Sequence, residues 1–157
     1  MKEIKYKWIK WLGEQQYTHA VTLKPNFTNI KISDNFLFRL FTKFHMLVQR
    51  RLFGTRFNNA NKRIFHTPAV AILEGSTDTA HIHAAFKVQE GNWAAFETLF
   101  VEGGAKASRQ GPWRTLVQNG TCQVDQITEC SGWHNYQLKE AWSNDVGDRM
   151  IFLPLSA

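Results

Sequence analysis

The chain has few cysteines and no long apolar run. Its 157 residues include 2 cysteines, Cys122 and Cys130, which are too few for a disulfide framework and lack the spacing of a zinc knuckle. No apolar stretch approaches the length of a membrane span, and the lysine-rich start lacks a continuous apolar segment of the signal-peptide kind. These absences predict a soluble, cytoplasmic protein with reduced thiols and no membrane partner.

Internal repeats, low-complexity tracts and linkers are also missing from the sequence. At this length the chain can form one domain with a sizeable core, and we expect a single domain over 1–157. Residues 1–16 are a basic extension with two tryptophans. This extension is predicted to be either a short amphipathic helix or an arm that contacts DNA.

Charge is divided unevenly along the chain, whose net charge is +6. Residues 1–67 contain 13 Lys and Arg against 3 Asp and Glu, whereas residues 68–157 contain 6 against 10. A basic half of this kind attracts phosphates. The asymmetry therefore favours a nucleic-acid partner over a charge that serves solubility alone.

Periodicity and turn residues predict the order β-α-β-β-α-β-α. The predicted helices are capped by Asp34, Asn92 and Ser131, and the second is expected to end at Gly103-Gly104. Residues 105–120 resemble a loop. The predicted strands cover 19–23, 68–74, 80–88 and 122–127, with a further apolar strand over 150–155. This order is typical of an α+β, ferredoxin-like or RRM-like split βαβ fold, with an antiparallel sheet and helices mainly on one face.

A candidate metal site lies on the predicted central hairpin. Alternate side chains of a strand share a face, so His81 and His83 project to the same side. Glu74 ends the preceding strand and falls opposite His81 or His83, depending on the register. Two imidazoles and a carboxylate suit a catalytic Mg²⁺ or Mn²⁺ better than a closed zinc site. Asp78 is a weaker third ligand because it lies in the turn.

The remaining histidines lack such partners in the sequence, and we expect core or surface roles for them. They are His19, His45, His66 and His134.

A candidate nucleophile lies on the helix that follows the fourth predicted strand. Tyr136 and Lys139 are three residues apart and so share one side of that helix. A phenol with a pKa near 10 attacks poorly unless a cation stabilises the charge that develops, and Lys139 is placed to do so. An ordinary half-buried tyrosine beside a solvated lysine would show the same spacing.

Basic and aromatic residues supply candidates for holding DNA through phosphate contacts and base stacking. The phosphate candidates are Arg50, Arg51, Arg56, Lys62 and Arg63. The loop candidates are Arg109, Trp113 and Arg114, and Trp133 lies near the candidate nucleophile. A solvated basic face and ordinary core tryptophans are the alternatives.

Three stretches, in this order, resemble the HUH endonucleases, specifically the single-tyrosine rolling-circle replication initiators (Rep proteins). Thr18-His19-Ala20-Val21-Thr22-Leu23 is similar to their first motif. His81-Ile82-His83 resembles the histidine–hydrophobe–histidine motif, with Glu74 as the acidic third ligand, and Tyr136-Gln137-Leu138-Lys139 resembles Y-x-x-K. The similarity spans roughly residues 17–142.

The resemblance implies a metal-dependent endonuclease and strand transferase that acts on single-stranded or hairpin DNA at a replication origin. Tyr136 would form a 5′-phosphotyrosine link and release a 3′-OH. Single-tyrosine transposases of the same superfamily usually show Y-x-x-x-Q, whereas position 140 here is Glu. The chain has no Walker A motif, so a helicase would be a separate protein or a missing segment.

Two other classes stay open. One is a non-catalytic module that binds single-stranded nucleic acid on the same sheet topology. The other is a metal hydrolase that activates water and does not need Tyr136.

Overall fold

Five strands form one antiparallel sheet, and helices pack against it. The computed structural model describes residues 2–59, 61, 66–75, 79–101, 111–128 and 149–154. The strands are β1 (His19–Lys24), β2 (Ala69–Glu74), β3 (His81–Phe86), β4 (Thr121–Gln126) and β5 (Met150–Leu153). The helices are α1 (Lys2–Glu14), α2 (Asp34–Phe53), α3 (Trp93–Thr98) and α4 (Pro112–Leu116). The predicted α+β class is confirmed.

The strands lie in the order β4-β1-β3-β2-β5, and every neighbouring pair is antiparallel. The central strands β2 and β3 are buried almost throughout, whereas the edge strand β4 is largely exposed. In the described part of the chain, no helix is long and apolar enough to cross a lipid bilayer.

The larger core lies between the sheet and helices α2, α3 and α4. Apolar residues recur along α2 at helical spacing and contact one face of the sheet. Alanines such as Ala71 and Ala84 leave room there for large rings. Phe41 and Phe44 occupy that room, with ring centroids 6.2 and 6.3 Å from Phe86.

The second face of the sheet is partly covered by α1. Leu12 of α1 is fully buried against Val70 and Ile72 of β2. Trp8 stacks on Phe152 of β5, with centroids 6.3 Å apart. The N-terminal extension therefore contains an amphipathic helix, one of its two predicted forms, and the helices do not all lie on one face.

One predicted helix start was wrong, because Ser33, not Asp34, caps α2: the Ser33 hydroxyl accepts from the N–H of Phe36 at 3.2 Å. Asn92 occupies the predicted cap position before α3, although its side chain makes no capping bond. It also ends a short 3₁₀ turn, Glu90–Asn92, that leads into α3. Helix α3 then ends at Thr98, before the predicted Gly103-Gly104 stop.

The predicted loop over 105–120 contains a short helix, α4, in its described part. Pro112 occupies the first turn, where its fixed φ suits a helix and its missing N–H costs nothing. Trp113 follows and is 1% exposed. Burial of this large ring against the core explains why a segment with no helical periodicity forms a turn of helix.

Candidate metal centre

The β2–β3 hairpin brings Glu74, His81 and His83 together. Glu74 pairs with His81, and Ile72 pairs with His83, which is the first of the two predicted registers. Their neighbours Leu73 and Ile82 face the helical core. Because strand side chains alternate, the three polar side chains project from the opposite face, beside the cluster that α1 covers.

The candidate ligand atoms converge on one point. Glu74 Oε2 lies 2.8 Å from His81 Nε2 and 2.6 Å from His83 Nε2. The two Nε2 atoms are 3.1 Å apart. Neighbouring ligands around an ion held at ~2.1 Å lie ~3 Å apart, so the donor set fits one divalent cation. These three residues could hold a metal ion.

The far nitrogen of each ring also has a partner. His81 Nδ1 lies 2.7 Å from the carbonyl oxygen of Thr79, which can only accept. A neutral His81 therefore carries its proton on Nδ1 and keeps the Nε2 lone pair for a metal. His83 Nδ1 lies 3.2 Å from the hydroxyl of Thr22 on β1.

The turn after Glu74 depends on a glycine. Gly75 has φ +75°, a conformation that side-chain-bearing residues rarely adopt. A side chain there would also collide with the carbonyl group of Thr79. Gly75 therefore lets the chain close tightly enough for Thr79 to reach the ring of His81.

Burial and charge set the protonation of the site. Burial lowers the pKa of His83 below its ordinary value, and the charges of His81 and Lys24 lower it further. Glu74 opposes this through its charge and its hydrogen bond. Glu74 and His83 are each 5% exposed, whereas His81 is half-buried. A neutral imidazole is the form that binds metals. Because His81 is the most exposed of the three residues, solvent reaches the site from its side.

Sequence reasoning missed Thr22, Thr79 and Arg149 as supports of the site. Arg149 donates from Nη2 to the carbonyl oxygen of Gly75 at 2.9 Å and pairs with Asp34 at 3.1 Å. Thr22 could have been found, because it lies near the end of β1 and pairs with His83 of β3, so the two side chains share one face of the sheet. Nothing in the sequence alone indicates Arg149.

Among the candidate DNA-binding residues that the structure describes, none lies beside the candidate metal centre. Arg50, Arg51 and Arg56 are exposed at and beyond the C-terminal end of α2. The N-terminal end of that helix is the one next to Gly75, through the pair of Asp34 with Arg149. At 1.5 Å per residue, Arg50 lies about 24 Å further along the helix axis.

Trp113 was wrongly predicted to stack on DNA bases. Its ring is buried and meets Phe44 edge to face, with centroids 5.8 Å apart. Its Nε1–H donates to the carbonyl oxygen of Lys24 at 3.1 Å. Arg114, next in the chain, is half-buried, and its Nε lies 3.4 Å from the carbonyl oxygen of Gln118.

Several predicted residues lie outside the described part of the chain. They are Lys62, Arg63, Asp78, Arg109, Trp133, His134, Tyr136 and Lys139, together with the helix predicted to start at Ser131.

His19 has a polar partner that the sequence did not indicate. It is fully buried at the start of β1, and its Nε2 lies 3.0 Å from Glu97 Oε1. Gln126 donates to the same oxygen at 2.7 Å. These bonds, first that of Gln126 and then that of His19, lower the pKa of Glu97. Of the core and surface roles that the sequence left open for His19, its burial shows the first.

Comparison with known proteins found no counterpart. No family model, curated protein or solved structure matches the chain.

Proposed function

We propose that this protein is a metal-dependent, sequence-specific endonuclease and strand transferase that nicks and rejoins single-stranded DNA to initiate rolling-circle replication. One observation carries the proposal: the convergence of Glu74 Oε2 with the Nε2 atoms of His81 and His83. The sequence resemblance to HUH replication initiators gives this donor set its chemistry. We further propose Mg²⁺ or Mn²⁺ as the cation and the cytoplasm as the location.

The strand order supports the finer fold proposal. In a split βαβ layout, a third strand lies between two strands that a helix connects. Here β3 lies between β1 and β2, which α2 connects, and β4 lies beyond β1. We therefore propose a ferredoxin-like arrangement extended by β5.

The described neighbours of the candidate nucleophile support its approach to the metal centre. Tyr136 falls in sequence between β4 and β5, which occupy opposite edges of the sheet. Ile127, directly after β4, packs against the apolar cluster on the face of Glu74. Arg149, directly before β5, contacts Gly75. Ile127 thus lies on the face of the sheet that carries Glu74, and Arg149 lies beside the turn after Glu74. We propose that Tyr136 reaches the same phosphate as the cation.

In the proposed reaction, the phenolic oxygen of Tyr136 attacks the phosphorus and the bond from phosphorus to O3′ breaks. O3′ leaves with a proton as a free 3′-OH, and the phosphate stays on the tyrosine through its 5′ side. Attack by a 3′-OH in the reverse direction rejoins the strand. Glu74, His81 and His83 hold the cation, which when bound polarises the phosphodiester. Lys139 stabilises the charge on the phosphate oxygens.

A labelled-adduct experiment tests the proposal. The protein is incubated with Mn²⁺ and a random-sequence pool of single-stranded and hairpin oligonucleotides labelled at the 3′ end, and then separated on a denaturing gel. We expect label on the protein, lost in Tyr136→Phe and in Glu74→Gln and absent when EDTA is present. Tyr6→Phe is the matched control, because Tyr6 is 68% exposed on α1.

The outcomes separate the competing functions. Cleavage that persists in Tyr136→Phe would refute the covalent mechanism and favour a hydrolase that uses water. DNA binding that survives EDTA, without cleavage by any variant, would favour a non-catalytic binding module. Adducts on transposon-end hairpins but not on replication origins would favour the transposase. A separate helicase is a proposed partner of the replication function.

A further inference from the structure

Thr22 connects β1 to the candidate metal centre. It lies on β1, beside β3, where it pairs directly with His83 in the antiparallel ladder. Its side chain is half-buried, and its hydroxyl lies 3.2 Å from His83 Nδ1. Paired residues in such a ladder have Cβ atoms about 5 Å apart, so the sheet itself fixes this contact.

The two rings of the centre differ in how their far nitrogens are held. His81 faces the carbonyl oxygen of Thr79, an acceptor that belongs to the backbone. His83 faces a side-chain hydroxyl, which can accept or donate. The proton position in His83 is therefore sensitive to the hydroxyl of Thr22.

Two neutral forms of His83 compete. With the proton on Nδ1, the ring donates to Thr22 and directs the Nε2 lone pair toward the cation position. With the proton on Nε2, the ring donates to Glu74 Oε2, which lies 2.6 Å away. The second form occupies one ligand nitrogen and one ligand oxygen with a proton, so it blocks metal binding.

We propose that Thr22 is a positioning residue that holds His83 in its metal-binding form. The hydroxyl accepts the Nδ1–H and so favours the form in which Nε2 carries no proton and can bind the cation. This inference rests on the metal centre of the proposed function but not on its DNA chemistry. It also gives a physical role to the stretch Thr18–Leu23, whose residue types alone do not indicate a chemical function.

Titration with Mn²⁺ at one fixed pH tests the inference. Loss of an outer partner of a metal ligand costs roughly 10- to 100-fold in metal affinity. We expect Thr22→Val to lose affinity in that range and Thr22→Ser, which keeps the hydroxyl, to recover most of it. In the metal-free protein, ¹⁵N NMR of the His83 ring should show a shift of the proton from Nδ1 to Nε2 in Thr22→Val.

Thr18→Val is the matched control. The Thr18 hydroxyl also contacts a histidine nitrogen, His19 Nδ1 at 2.8 Å, and accepts from the N–H of Val88 at 3.0 Å. The Thr18 hydroxyl also donates to the carbonyl oxygen of Phe86 at 3.2 Å. Thr18→Val therefore loses at least as many hydrogen bonds as Thr22→Val, but none of them involves a candidate ligand, so its Mn²⁺ affinity should equal that of the wild type. Equal losses in both valine variants would reveal a purely structural effect and overturn the inference.

The remaining outcomes are distinct from those of the DNA experiment. Wild-type affinity in Thr22→Val, or a failure of Thr22→Ser to restore binding, would overturn the positioning role. A wild-type protein that binds no Mn²⁺ would overturn the metal centre as well. The inference would stand if the wild type bound Mn²⁺ in the expected order of variants but formed no DNA adduct, and only the proposed function would fail.

Discussion

At the scale of single residues, His45 illustrates how burial sets protonation in this fold. Its ring lies nearly parallel to that of Phe86, with centroids 5.9 Å apart, and its Nε2–H donates to the carbonyl oxygen of Thr67 at 2.8 Å. Burial lowers the pKa of His45 to about 4; the bond to Thr67 opposes this, and the charge of His66 adds to it. The ring is therefore neutral in the folded protein at neutral pH.

We predict that His45 makes the fold lose stability in mild acid. Between about pH 6.5, where histidine titrates in an unfolded chain, and about pH 4, the unfolded state binds a proton that the folded state does not. The free energy of unfolding therefore falls as the pH is lowered through this window, by at most about 3 kcal/mol from this residue. His45→Gln keeps a donor for Thr67 but cannot titrate. The free energy of unfolding of this variant should therefore fall less over the same pH range.

Urea unfolding of both proteins at about pH 7.5 and at about pH 4.5 measures the difference. The wild type should lose more free energy of unfolding between the two conditions than His45→Gln does. An equal loss in both proteins would place the acid sensitivity at groups other than His45.

At the scale of elements, Arg149 connects the start of α2 to the β2–β3 hairpin that carries the candidate metal centre. The Asp34 carboxylate accepts from Nε of Arg149 at 3.1 Å, and Nη2 of the same guanidinium donates to the carbonyl oxygen of Gly75 at 2.9 Å. Arg149 precedes β5, so one side chain connects α2, the turn after Glu74 and the edge of the sheet. We infer that this connection keeps the carboxylate of Glu74 close to the Nε2 atoms of His81 and His83.

We predict that Arg149→Gln weakens metal binding as well as the fold. The pair with Asp34 is partly exposed, which limits its contribution to stability to about 1 kcal/mol. The substitution also removes the contact with Gly75, so the turn beside the ligand Glu74 is held less firmly. We therefore expect Mn²⁺ affinity to fall about 10-fold, the low end of the range for losing an outer partner of a metal ligand. Calorimetric titration and thermal unfolding measure the two effects.

Ser33→Ala separates the two effects. Loss of the helix cap costs about 1 kcal/mol, similar to the loss expected for Arg149→Gln, yet Ser33 contacts neither Gly75 nor a ligand in the described part of the chain. Its Mn²⁺ affinity should therefore match that of the wild type. A tenfold loss in Ser33→Ala would show that weakening α2 alone disturbs the centre.

The elements also show which parts of the structure could be predicted from the sequence. The alternation of His81 and His83 with apolar residues determines a face, and either register of the turn puts Glu74 on that face, so local pattern was enough to predict the candidate metal site. Ser33 and Asp34 are both good caps; Ser33 caps the helix, and the Asp34 carboxylate instead pairs with Arg149, which lies far along the chain. Trp113 was misplaced because only packing shows that its ring enters the core.

At the scale of the whole molecule, the basic residues of α2 and the metal centre occupy different ends. Arg50 and Arg51 border a cavity of about 640 Å³ with Leu47 and Leu99, on the helical side of the sheet. The metal residues lie at the other end of α2 and on the other face of the sheet. If these arginines contact DNA, they hold a part of it that is remote from the scissile phosphate.

This separation predicts that affinity and chemistry can be changed independently. In the double variant Arg50→Gln/Arg51→Gln, two phosphate contacts are lost, so the slope of log affinity against log salt should decrease in magnitude by about 1.4 for single-stranded DNA. The rate of adduct formation at saturating DNA should be unchanged, because neither arginine lies near Glu74, His81 or His83. Binding of a labelled random-sequence single strand over a range of salt concentrations measures the slope.

The control must remove the same net charge from elsewhere on the surface. Lys31→Gln/Lys87→Gln does so, since both lysines are exposed and outside the basic end of α2. A purely long-range effect of net charge would weaken DNA binding equally in both double variants, and that result would contradict a contact at Arg50 and Arg51. A reduced adduct rate at saturating DNA in Arg50→Gln/Arg51→Gln would instead mean that DNA held at this end determines how the phosphate sits at the metal centre. The fold makes that coupling unexpected, because the two regions lie at opposite ends of α2 and on opposite faces of the sheet.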